Sequence, residues 1–172
     1  IGKRNDYIRF PSEWERNEEV FRILDEQTGN NTEVTIACAV QALNIFYIPD
    51  FLKWKLNFGF KKINMWPFGA GGINYHFVYH PPHLNVKILP AWFKDELERK
   101  YEDFIPWWEE NWEKGIPSWE KGKVTQEQWR TASYGISRLR GMVSFMKSED
   151  WSQRLPEFRE YITKLDKMRG TN

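Results

Sequence analysis

Apolar and polar positions change their rhythm along the chain, and each change marks an element. Residues 1–11, "IGKRNDYIRFP", carry many charges and little periodicity, and read as a polar loop feeding a helix. Ser12-Glu13-Trp14-Glu15 has the order of a capping box, with the Ser12 hydroxyl placed to accept a helical N–H and Glu15 to reach back. Val20, Phe21 and Leu24 follow at helical spacing, and "TGNN" at 28–31 ends the run. "EVTIACAV" at 33–40 is short, β-branched and almost wholly apolar, which predicts a parallel-sheet strand covered on both faces. A loop, a helix with Pro49 near its first turn and a stop at Gly59 come next. "KKINMW" at 61–66 suits a short strand, "PFGAGG" a turn, and "INYHFVY" at 73–79 a second full strand. The alternation predicts βα units with right-handed crossovers and a parallel sheet over 1–90.

Beyond Pro90 the pattern changes to helices separated by a loop, "KGIPSWEKGK". Residues 91–114 predict a helix that Pro106 ends or kinks near Phe104 or Ile105. A second capping box at Thr125 opens a helix to about Lys147, and a last helix runs from about Leu155 to Arg169 with Gly170 as its cap. The expected organisation is an α/β part over 1–90 and a helical, Trp-rich region over 91–172.

Composition narrows the function. The 172 residues carry 25 basic and 24 acidic side chains. That balance gives no electrostatic footprint for nucleic acid or for an anionic membrane. No stretch approaches the roughly 20 apolar residues of a membrane span. The single cysteine, Cys38, excludes an internal disulfide and fits a reducing, cytoplasmic setting. Aromatics make up 17% of the chain, with ten Trp. Trp107, Trp108, Trp112, Trp119, Trp129 and Trp151 crowd the second half, either as core filling or as a stacking platform.

Candidate chemistry is sparse. His76, His80 and His83 are the only histidines, and they form a zinc site only if all three converge. Pro81 and Pro82 break that geometry, so capping or stacking at a loop mouth is the competing reading. "GAGG" at 69–72 lacks the Gly-Lys-Ser/Thr ending of a phosphate loop. Arg9 stands just before a helix entry, where ligands of parallel sheets gather. It suits a forked ion pair with a carboxylate or phosphate, or an ordinary place on the surface.

Four segments, "IGKRNDYIRFPSEWE", "VTIACAVQALNIFYIPDFLKW", "INYHFVYHPPHLNVKILP" and "LPEFREYITKLDKMRGTN", resemble the later part of radical S-adenosylmethionine proteins. The likeness is greatest to the twitch-domain-containing proteins of marine bacteria and phages. The resemblance implies a partial (βα) barrel of parallel strands followed by a helical tail. It also implies a 4Fe-4S cluster on a CxxxCxxC loop, which reduces S-adenosylmethionine to give a 5′-deoxyadenosyl radical. This chain has no CxxxCxxC, so the resemblance implies cluster ligands and earlier strands upstream of Ile1, and an open sheet edge with exposed apolar surface where those strands would pair.

Position by position, the resemblance gives Arg9 the cofactor carboxylate, Gln41 and Asn44 the ribose, and the backbone of Val78, Tyr79 and His80 the adenine. Asn44 also suits a turn. Its implied function is one part of a cofactor cleft, not competent alone, with the substrate, peptide or nucleotide, left open. The alternative from another class is a non-catalytic α/β interaction domain that binds a partner through its Trp-rich tail.

Overall fold

A computed structural model describes residues 1–29, 34–63, 73–112 and 126–170, the side chains of 126–134 excepted. The chain is mixed α/β and mostly helical, in the order α1 (Gly2–Ile8), α2 (Trp14–Gln27), β1 (Ile36–Val40), α3 (Ile48–Phe58), β2 (Ile73–Phe77), α4 (Ala91–Asn111), α5 (Gln126–Lys147) and α6 (Leu155–Arg169). The turn at 67–72 and the capping box at Thr125 lie outside the described residues.

β1 and β2 pair in parallel, Ile36 opposite Ile73 and Val40 opposite Phe77. Among the described residues they form a sheet of two strands, so the outer edge of each has no strand neighbour there. Ile36 and Val40 are buried while Ala37 is exposed, so β1 is not covered along both faces. α3 has its proline in the first turn and ends at Gly59 with φ +80°, the left-handed conformation that glycine adopts without a Cβ clash. Gly170 closes α6 in the same way at φ +64°.

Three local expectations give way to packing. Residues 2–8 are helical rather than a loop: Ile1, Arg4, Asn5 and Ile8 share one face at spacings of three and four. The Ser12 capping box does not form. Glu13 is the N-cap of α2 without a side-chain bond, and the Ser12 hydroxyl accepts from Asn17 Nδ2 at 2.8 Å. Of the expected strand at 61–66, residues 64–66 lie outside the described residues, and 61–63 are a bend held by the Asp25 carboxylate, which accepts the backbone N–H groups of Lys61, Lys62 and Ile63 at 2.6–2.7 Å.

α4 runs unbroken through Pro106. The proline is exposed, while Leu97, Tyr101, Phe104, Ile105 and Trp108 on the opposite stripe are buried. That stripe meets Leu139, Met142, Val143 and Met146 of α5. Outside it, Arg140 forks onto Glu102 (3.0 and 2.9 Å), and Lys147 bridges Asp95 (2.8 Å) and Glu98. A single cluster of buried side chains runs from Ile36 in β1 to Met146 in α5, across the junction at residue 90. Trp108 and Trp112 belong to it, and Trp107 stacks on Phe104 at 5.3 Å. These three indoles of the tail are therefore packing groups rather than an open platform.

Candidate functional site

Ile36, Ala37, Cys38 and Ala39 all line one cavity of about 400 Å³. Successive strand residues point to opposite faces, so a wall made of four in a row is the edge of a strand. The hydrogen bonds agree. Val40 O accepts from Val78 N–H at 2.9 Å, which turns the polar groups of Val40, and by alternation those of Cys38, toward β2. The peptide groups of Ala37 and Ala39 therefore face the other way, into the cavity. The Ala39 carbonyl is taken by Asn44 Nδ2 at 2.8 Å.

Opposite this edge stands the inner face of α1, with Ile1, Arg4, Asn5, Ile8 and Arg9 on the wall. Arg9 is the C-cap of α1, its N–H donating to Asn5 O at 2.7 Å. Its side chain is exposed, and no hydrogen bond or ion pair engages its guanidinium among the described residues. Arg4 sits over Tyr47, with its guanidinium carbon 3.1 Å from the ring centre. Asn5 Nδ2 is buried without a hydrogen-bond partner. Trp14, Phe21, Tyr47 and Phe51 add aromatic rings to the lining. Arg4 and Arg9 are cationic, and none of the lining residues is Asp or Glu. Cys38 is a thiol at neutral pH, because burial pushes its pKa up to about 11 against the weaker pull of Arg9.

Of the residues singled out by sequence, Arg9, Gln41 and Asn44 meet in this cavity. The turn after β1 explains two of them. Asn44 Oδ1 accepts from Gln41 N–H at 2.8 Å while its Nδ2 holds Ala39, so both ends of the Asn44 amide serve the backbone. The Gln41 side chain has no hydrogen bond to another described residue. Val78, Tyr79 and His80 do not line the cavity. Val78 N–H is bonded to Val40, and its carbonyl accepts from Asn85 Nδ2 at 2.9 Å. Tyr79 is 54% exposed and packs edge-on to Phe145, and His80 is exposed.

The histidines do not converge. His76 is exposed and His83 packs on Tyr161 of α6, ring centres 4.8 Å apart. No group of three or more His, Cys, Asp or Glu among the described residues is arranged to hold a metal ion. Sequence reasoning missed Arg4, Asn5, Trp14 and Tyr47. The available signal was the spacing of Ile1, Arg4, Asn5, Ile8 and Arg9, which gives α1 a single inward face.

α1 is held from outside by α6. Tyr7 donates its hydroxyl proton to Asp166 Oδ1 at 2.8 Å. The Arg169 guanidinium donates to the Tyr7 carbonyl and lies 5.1 Å from the Phe10 ring. No helix among the described residues is long and apolar enough to cross a membrane. The assembled site sets a strand edge, two arginines and several aromatic rings around one cavity, and no family model, curated protein or solved structure matches the chain that builds it.

Proposed function

We propose that this chain forms part of a radical S-adenosylmethionine-type partial barrel in a cytoplasmic enzyme and supplies one wall of its cofactor cleft. The observation that carries the reading is that Arg9, Gln41 and Asn44, named from sequence as cofactor contacts, line one cavity. Among the described residues the outer edge of β1 has no strand neighbour, which is consistent with a partial barrel.

The donor set suits the cofactor in part. Arg9 offers a forked guanidinium to the carboxylate, the Gln41 amide is free to meet a ribose hydroxyl, and the aromatic walls suit a planar base. Asn44 acts one step back, by holding the turn that carries Gln41. The sulfonium and ammonium groups find no carboxylate on this wall, only ring faces, the Gln41 oxygen and the peptide edge at Ala37. When bound, S-adenosylmethionine supplies the sulfonium carbon that yields the adenosyl radical. This chain's residues bind and orient it. A four-iron cluster does not fit the residues present: Cys38 is the single cysteine, and burial keeps its proton on. The reading assigns that cluster to a CxxxCxxC segment other than this chain.

Isothermal titration with S-adenosylmethionine tests the proposal. The protein is expected to bind, and Arg9→Ala to lose about 1.5–3 kcal/mol, roughly 10- to 100-fold, if a charge-assisted pair is broken. Absence of binding by the unmodified protein sinks the reading.

A further inference from the structure

We infer that Arg4 and Asn5 join Arg9 in an anion cradle on the inner face of α1, and that Asn5 Nδ2 donates directly to an oxygen of the ligand's anionic group. The inference rests on the cofactor reading for the identity of the ligand, but the cradle itself rests on geometry. Arg4, Asn5 and Arg9 all line the cavity, and the Arg9 N–H to Asn5 carbonyl bond winds the end of α1 so that positions 5 and 9, four apart, are neighbours.

All three are donors, and the wall around them contributes no carboxylate. None of the three side chains is hydrogen-bonded to the described protein: Arg4 sits over the Tyr47 ring with its N–H groups unbonded, Arg9 is unengaged, and Asn5 Nδ2 is buried. A buried amide N–H without a partner is disfavoured in a finished protein, because it has lost water and gained nothing. An oxyanion in the cavity supplies the missing acceptor. The planar fork of a guanidinium beside a single amide donor matches a group with two oxygens in one plane, a carboxylate, or the equivalent pair of a phosphate.

The test uses Asn5→Leu, which keeps the branched shape and the number of heavy atoms and removes the donor, beside Arg9→Ala, with titration of S-adenosylmethionine and of its carboxylate methyl ester, and thermal melts with and without inorganic phosphate. Asn5→Leu is expected to melt no lower than the unmodified protein and to bind the cofactor at least tenfold more weakly. The methyl ester is expected to bind the unmodified protein weakly and to lose nothing further in Asn5→Leu, since both changes delete the same contact. If Asn5→Leu binds as well as the unmodified protein while Arg9→Ala does not, the cradle is wrong and the cofactor reading stands. If the unmodified protein ignores the cofactor but phosphate raises its melting temperature, and Asn5→Leu abolishes the rise, the cradle stands and the cofactor reading falls. No response to either ligand overturns both.

Discussion

Lys55 is 4% exposed within α3, and loss of water lowers its pKa to about 7. The folded protein therefore holds this proton less tightly than the unfolded chain, whose lysine titrates near 10.5. Below pH 7 the cost of a buried charge is present in full. It is relieved as pH rises toward 10.5, so this residue makes stability increase with pH across that window. Cys38 works in the opposite sense from about pH 9, because its raised pKa favours the fold only while the unfolded thiol is still protonated. Urea midpoints measured from pH 7 to 9 are thus expected to rise, and Lys55→Met to reduce the slope. A slope unchanged by the substitution removes Lys55 as its source. Side-chain roles of this kind were the least legible feature of the sequence. Asp25 receives three backbone N–H groups, and no local pattern in the sequence marks it for that role. Ser12 and Glu15 had the letters of a capping box, but the Asn17 amide reaches the hydroxyl instead. Arg9 was singled out from its place before a helix entry and Gln41 from the family resemblance alone, and both line the cavity. Arg4 and Asn5 were not singled out, because their helix was read as loop.

Elements were easier to read wherever periodicity ran long. The limits of α3, α5 and α6 follow the apolar spacing and its caps closely, while the two strands are shorter than the apolar runs that announce them, Ile36–Val40 within 33–40 and Ile73–Phe77 within 73–79. α1 escaped because two isoleucines are its only aliphatic inward residues, too few to show a period over seven positions. Pro106 misled in the other direction. A proline removes one helical bond and crowds the preceding turn. Here the ring is exposed while Tyr101, Phe104, Ile105 and Trp108 are buried around it, and that burial outweighs the missing bond. Pro106→Ala restores the donor to the Glu102 carbonyl without disturbing the buried stripe. It is expected to stabilise the protein by about 1–3 kcal/mol, read from the denaturation midpoint. A loss of stability would show that α4 depends on the proline's shape.

At the scale of the molecule, the α/β class and parallel pairing were visible in the order of elements, since a strand, a helix and a second apolar strand leave little choice of topology. The shared core was not. The change of rhythm at Pro90 reads as a boundary, whereas Trp108 and Met146 pack in the same cluster as Ile36 and Val40. Sequence rhythm reports what each element buries, not which partner it buries it against. The same limit hid the docking of α6 on α1, which depends on a phenol, a carboxylate and a guanidinium more than a hundred and fifty positions apart.

That clasp ties two equilibria together. A ligand seated on the inner side of α1 favours the helix in place, and α6 grips only a helix in place, so occupancy at one side tightens the grip at the other. Amide protons of residues 155–169 should exchange with deuterium more slowly in the liganded protein, although none of those residues touches the cavity. Loosening the clasp with Tyr7→Phe should uncouple that protection from ligand addition, making the far helix a reporter of binding that can be switched off from outside the pocket.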